Sequence, residues 1–420
     1  MSKVLAIHGG PRAIAEKLPT FLQRGGRTIG EAEEKLVLEA LRSGCLSRNG
    51  GTMVNRLEAE FASKLGVGHA VACSSGTASV HLAIAALDLE PGDEVIVPPI
   101  TDIGSIVPIL WQNAVPLFAD VDPRTLVLDP EDVARKIGPR TRAIMAVHLA
   151  GQPCDMGALR KIATERGLAL IEDCSQAYWA EYDGKLVGTM GDLACFSLQQ
   201  SKHITCGEGG LTVTSNPDYA RRARLFADKA WPRDSKSLGS CRFLFLSQNY
   251  RMSELQGAVA LGQLGKVGSS VEKRRARAAE LTRALADVPA VRPPYVPANT
   301  RHAWWLYMLG VDEAEAGVST KEFGDALVAE GVNAWVQYII DPLYRSPMFT
   351  ERKTYGTSGI PFQEFGRQDY GYGLCPKAEG ALRHVIAIWW NENYTPEQVA
   401  AIAGAVRKVA AHYAPAHVRG

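Results

Sequence analysis

The sequence predicts an α/β fold, a large domain around a mostly parallel seven-stranded sheet followed by a smaller domain. Three observations carry this. Seven short apolar runs lie between Ala70 and Thr214, helix-like patterns separate them, and the texture changes after Asn216-Pro217. The runs are continuously apolar rather than alternating, as in strands covered by helices on both faces.

The strands are expected at Ala70–Ala72, Glu94–Val97, Pro116–Asp120, Ala143–Val147, Leu168–Glu172, Leu193–Ser197 and Leu211–Thr214. Helices are expected at Thr77–Leu87, Pro130–Ile137 and Met156–Arg166, giving right-handed crossovers. Only a short glycine-rich connection joins the last two strands, so that pair is where the parallel pattern can break. Beyond Pro217 come the basic run Ala220–Arg224, the polar loop Asp234–Ser240, the segment Met252–Leu264 and a charged helix from Val271. After the proline-rich stretch Pro289–Pro297, a second sheet is expected to begin at His302–Gly310. The helix Pro396–His412 closes the chain behind Thr395-Pro396-Glu397, a plausible cap. The expected division is residues 1–270 for the N-terminal segment and large domain, and 271–420 for the small one.

The 420 residues are 46% hydrophobic and 22% charged, the balance of an ordinary globular enzyme, and the net charge is +1. That charge gives no electrostatic reason to expect nucleic acid or an anionic membrane surface as partner. No apolar run approaches the ~20 residues of a membrane span. Eight cysteines are scattered with no C-x-x-C pair, which argues against zinc and for small buried hydrophobes in a reducing compartment. A cytoplasmic location is expected.

Three segments carry chemistry. In Cys73-Ser74-Ser75-Gly76-Thr77, a strand ends, a small-residue turn follows and a helix starts, so unpaired N–H groups face an approaching phosphate. The same residues suit an ordinary capped turn. In Leu170-Ile171-Glu172-Asp173-Cys174-Ser175-Gln176, a strand delivers Asp173 where parallel sheets bind ligands. Its carboxylate needs a partner, either a pyridinium N–H or the next helix as its cap. In Ser197-Leu198-Gln199-Gln200-Ser201-Lys202-His203, followed by Gly207-Glu208-Gly209-Gly210, a lysine follows a buried strand. An enclosed amine there has a lowered pKa and forms imines, whereas a lone lysine is ordinarily solvated. His203 by itself reads as a packing or hydrogen-bonded residue.

Taken in order, these segments resemble the DegT/DnrJ/EryC1/StrS family of sugar and cyclitol aminotransferases. The resemblance runs from about Ser47 to the C-terminus and implies the fold-type-I architecture with a smaller α+β C-terminal domain. It also implies pyridoxal 5'-phosphate as cofactor, held by Lys202 as a Schiff base. Asp173 would pair with the pyridinium nitrogen, and Gln176 would contact the ring oxygen. Ser75, Gly76, Thr77 and Ser197 would hold the phosphate. Ser247-Gln248-Asn249-Tyr250-Arg251-Met252 resembles a segment offered across a homodimer interface, with Asn249 reaching the partner's phosphate and Arg251 holding a donor carboxylate.

Two positions depart from the family pattern. Asp102 stands where an aromatic residue often covers the ring, and Tyr344 where a histidine is frequent. Tyr344 and His203 join Arg251 as candidates for substrate contact. Asp102 suits either the hydroxyls of an uncharged polyol ketone or a solvent-facing loop. The expected reaction moves an amino group from glutamine or glutamate to a keto-cyclitol of the inosose type, in aminoglycoside-type biosynthesis. The alternative acceptor is a nucleotide-linked keto-sugar. A pyridoxamine-dependent sugar dehydratase carries histidine in place of the lysine, so Lys202 speaks against it. Intact Lys202, Asp173 and Gln176 speak against a non-catalytic regulator.

Overall fold

The seven expected strands all form. A computed structural model describes residues 4–233 and 242–413, so the polar loop Asp234–Ser240 lies outside the described residues. The strands are β1 His69–Cys73, β2 Glu94–Val97, β3 Val115–Phe118, β4 Thr141–Val147, β5 Ala169–Asp173, β6 Leu193–Ser197 and β7 Gly210–Thr214. They make one sheet in the order β1-β7-β6-β5-β4-β2-β3. Pairings among β2 to β6 are parallel, while β7 runs antiparallel to both β1 and β6. The cause is the connection: residues 198–209 hold no helix to carry the chain back across the sheet. Every residue of β2, β3, β6 and β7 is buried, which is why these runs read as continuously apolar.

The helices Gly76–Ala86, Pro130–Lys136 and Met156–Arg166 fall where the pattern places them. Gly76–Ala86 is apolar nearly all round and buried from Ala78 to Ala86, a central helix rather than a surface one.

A second, wholly antiparallel sheet has Val291–Arg292, Leu306–Val311, Val385–Trp389 and Ala334–Val336 side by side. It begins earlier than the expected His302. The two-residue strand Val291–Arg292 sits inside the proline-rich stretch and pairs on one side only, a place that tolerates the prolines after it. Helix Val267–Leu285 packs along the last helix, Pro396–Tyr413. Thr395 caps the latter reciprocally: its Oγ1 accepts the Gln398 N–H at 3.3 Å, and its own N–H donates to Gln398 Oε1 at 3.1 Å.

The first residues belong to this second core. Leu5, Ile14 and Leu18 are buried with Leu281, Phe323 and Val406. The Glu330 carboxylate fastens them, accepting the N–H groups of Ala6 and Ala13 at 2.8 Å each and the Lys408 ammonium at 2.9 Å. Among the described residues no helix is long and apolar enough to cross a membrane.

Candidate active site

The C-terminal ends of β1, β5 and β6 open on one edge of the sheet and bring three sequence segments to one cleft of about 400 Å³. After β1, Ser75 is the N-cap of helix Gly76–Ala86, its Oγ accepting the Ala78 N–H at 3.0 Å. The N–H groups of Gly76 and Thr77, at the start of the helix, are left for a ligand. Ser197, at the end of β6, meets this turn so closely that a Cβ on Gly76 would lie 2.6 Å from its Oγ. On the far side a Cβ on Gly210 would lie 2.2 Å from the Ser75 carbonyl, which explains the glycine that opens β7.

Asp173 ends β5. Its Oδ2 accepts the Ser105 hydroxyl at 2.7 Å and its Oδ1 the Ser175 N–H at 3.0 Å, while Ser105 is 2.8 Å from Thr101 Oγ1. A carboxylate has about four acceptor positions, so about two remain for further donors. Gln176 accepts the Ala150 N–H at 2.7 Å through Oε1, which orients its amide.

Lys202 is 9% exposed. Its Nζ sits 3.8 Å from the centroid of the Trp305 ring, and its carbonyl accepts Arg27 Nη1 at 2.7 Å. Burial pulls the ammonium down to about 8, against the opposing charges of Asp102 and Asp173. The amine is thus available as a base and nucleophile near neutral pH.

Asp102 is exposed and lines the cleft, with Oδ1 accepting the Gly104 N–H at 2.8 Å. The opposite wall is aromatic: Trp305, Trp335, Tyr338 and Trp389, with Trp335 stacked on Tyr338 at 5.4 Å.

Residues 27–407 match the model of the DegT/DnrJ/EryC1/StrS aminotransferase family. The chain belongs to that family. It is 38% identical over 302 residues to the L-glutamine:2-deoxy-scyllo-inosose aminotransferase of Streptomyces kanamyceticus, covering 70% of each chain. With the GDP-perosamine synthase of Caulobacter vibrioides it shares 38% identity over 289 residues, 69% of this chain and 76% of that one. S. venezuelae DesV superimposes with a TM-score of 0.79 at 30% identity, over 90% of this chain and 94% of that one. The protein is a pyridoxal-phosphate-dependent aminotransferase of the fold these enzymes share.

Four of the candidate residues lie outside the aminotransferase cleft within the chain. His203 is buried, bonded through Nε2 to the Ala303 carbonyl at 2.9 Å, and held well below its usual pKa by burial. Tyr344 is fully buried against Phe118, and its hydroxyl donates to Glu379. Neither lines the cleft, although His203 Nδ1 is buried without a hydrogen-bond partner among the described residues. Arg251 pairs with Asp228 in a separate hollow that also holds Arg48, Arg224 and Arg233. Asn249 is exposed, in a bridge opposite Asp228.

The sequence reading missed the aromatic wall, Ser105 and Arg27. Trp335 and Tyr338 stand three apart within the segment that leads to Tyr344, the one local signal for any of them.

Proposed function

We propose that this aminotransferase transfers an amino group from glutamine or glutamate to an uncharged keto-cyclitol, with Lys202 moving the proton. The residues present fit the cofactor. The turn Ser75-Gly76-Thr77 lies so close to Ser197 that a Cβ at Gly76 would clash with it, which sets the helix N-terminus and the Ser197 hydroxyl side by side for a phosphate. Asp173 keeps an acceptor position for a pyridinium N–H, and the Gln176 amide has N–H donors for a ring oxygen. When bound, pyridoxal 5'-phosphate supplies the electron sink that acidifies the carbon next to the migrating nitrogen.

The side chains do the rest. Lys202 would be the residue that holds the cofactor's aldehyde end. As a free amine its Nζ would take a proton from one carbon and return it to another, a task that suits an amine tuned to about 8. Trp305 keeps water from that amine on one face. Asp173, held by Ser105, would favour the protonated form of a ring nitrogen placed against it.

The observation that carries the acceptor assignment is the lining of the cleft. Among the described residues that line it, Lys202 is the only cation, facing the carboxylates of Asp102 and Glu208 and the aromatic wall. Such a surface accepts hydroxyl hydrogens and packs on the C–H face of a polyhydroxylated ring. A diphosphate would meet like charge there. The relative named for transamination of 2-deoxy-scyllo-inosose supports this reading. The arginine-lined hollow around Arg251 favours the second reading, a nucleotide-linked keto-sugar, if a partner subunit brings it to the cleft.

That partner is a second copy of the chain, with Asn249 reaching its phosphate site. Phe243, Leu244 and Leu246, just before Asn249, are 57%, 48% and 94% exposed, an apolar strip of the kind a subunit covers.

The test is the second half-reaction. Enzyme converted to the amino form with glutamine is mixed with a panel of keto-cyclitols and nucleotide-linked keto-sugars, and return of the visible band is followed. Turnover by the cyclitols alone is expected. Reaction with the nucleotide sugars alone would replace this reading by the second.

A further inference from the structure

Arg27 is 8% exposed, yet only one edge of its guanidinium is used. Nη1 donates to the Lys202 carbonyl at 2.7 Å, whereas Nε and Nη2, both buried, have no hydrogen-bond partner among the described residues. Those two nitrogens form the side-on fork that matches a carboxylate with two parallel hydrogen bonds. A buried polar group without a partner is costly, and leaving it so implies a ligand or an ion to fill the place.

The charge count around it points the same way. Arg27 shares its nearest carboxylate, Glu392, with Arg274. Arg27 Nη1 is 3.9 Å from Glu392 Oε1, while Arg274 takes Oε2 through Nε at 2.9 Å and Nη2 at 2.6 Å. Two buried cations therefore face one anion, and the surplus positive charge lies directly behind Lys202. Burial already lowers Arg27 to about 10, with the neighbouring Arg274 adding to that effect. An added carboxylate would relieve both burdens at once.

We infer that the Nε/Nη2 edge of Arg27 binds the α-carboxylate of the amino donor. The inference rests on the aminotransferase reading above and assigns to Arg27 the contact that the sequence suggested for Arg251. Arg251 is committed to Asp228, no arginine lines the open cleft among the described residues, and Arg27 stands directly behind it on the Lys202 carbonyl. Since both nitrogens are shut off from solvent, the donor opens this edge as it binds. The bond from Nη1 to the Lys202 carbonyl then ties donor binding to the backbone that carries the lysine. Arg27 thus selects the donor, and the Asp102 and aromatic walls are left to select the acceptor.

The test compares holoenzyme of the wild type with Arg27→Met and Arg27→Lys. The first half-reaction is followed at the visible band with glutamine and with 4-aminobutanamide, the same molecule without its α-carboxylate. Binding of 2-oxoglutarate to the unaminated holoenzyme is measured by calorimetry. In Arg27→Met the dissociation constants for glutamine and 2-oxoglutarate are expected to rise about 30-fold, with 4-aminobutanamide changed by less than about 2-fold. Arg27→Lys, which keeps the charge and loses the fork, is expected to fall between. Equal losses with both amines would overturn the proposal in favour of a purely structural hold on the Lys202 carbonyl. Unchanged 2-oxoglutarate binding would overturn it as well. Neither measurement contains an acceptor, so a failure here leaves the keto-cyclitol reading standing, and the reverse also holds.

Discussion

The ammonium of Lys202 rests 3.8 Å from the centre of the Trp305 ring, and the Trp305 indole N–H donates to the carbonyl of Ser201, the residue before the lysine. One side chain thus desolvates the amine and fixes the loop that bears it. Trp305→Ala should admit water to the amine and move its pKa from about 8 back toward 10.5. The rate at which the cofactor-free enzyme captures pyridoxal 5'-phosphate, measured against pH, should then rise at a more alkaline midpoint. An unshifted midpoint would mean that Trp305 does not set the amine's environment.

The same burial makes the stability of the cofactor-free protein depend on pH. Between about 8 and 10.5 the unfolded lysine holds a proton that the folded one has lost, so stability rises with pH across that window. Below pH 8 the full penalty of burying the ammonium remains, on the order of 3 kcal/mol for a shift of this size. Lys202→Met should remove this part of the dependence. Denaturant unfolding of both proteins at pH 7.5 and pH 10 should show a stability difference that shrinks as pH rises.

At Gly76 the prediction is steric. Ala in its place would put a methyl carbon 2.6 Å from Ser197 Oγ and 3.3 Å from Ser197 Cα, pushing aside the hydroxyl assigned to the phosphate. The helix itself should gain a little from alanine, so folding is expected to survive. Retention of pyridoxal 5'-phosphate on dialysis should fall by at least about 10-fold, equivalent to the loss of one hydrogen bond to a charged group. Full retention would move the phosphate site away from this turn.

Asp173→Asn keeps the shape of the strand end and the bond to Ser105 while removing the charge. A charge-assisted hydrogen bond is worth about 3 kcal/mol, so the donor half-reaction should slow by about 100-fold, with cofactor still retained through its phosphate. A rate within a few-fold of wild type would show that Asp173 does not face the ring nitrogen.

The legible part of this site is the part carried on the large sheet. Asp173 and Ser197 end two parallel strands and Ser75 lies two residues past β1, and each strand is a largely buried run whose end shows in the sequence. Lys202 follows within five residues of Ser197. The antiparallel sense of β7 was legible too, because so short a link cannot cross a sheet. Trp305, Tyr338 and Trp389 come from the second sheet or beside it, and only the packing of one sheet against the other brings them to Lys202. Arg251 and Tyr344 illustrate the converse. Their chemistry suits a pocket, but Asp228 and Glu379 occupy them, and partners 23 and 35 residues away leave no local trace. Leu5, Ile14 and Leu18 show no helical or strand period, so their membership of the second core had no signature either.

Arg274 provides a test of how the second core holds the back of the site. Its guanidinium, 2% exposed, binds Glu392 twice and also donates to the carbonyls of Trp304 and Trp390 at 3.0 and 2.7 Å. Arg274→Met would leave the Glu392 carboxylate 3.9 Å from Arg27 as its remaining cation, and two buried carbonyls without this donor. Breaking a buried pair from one side costs about 3–5 kcal/mol. The double change Arg274→Met with Glu392→Met removes both charges, and the part of the loss due to the orphaned carboxylate should be recovered. Arg27 would then lose its one close anion in the double variant, so donor binding should tighten even as the fold recovers. Denaturant midpoints of the single and double variants, read beside the glutamine dissociation constant, check both halves. A double variant no more stable than Arg274→Met would place the cost in the carbonyls rather than in the unpaired charge.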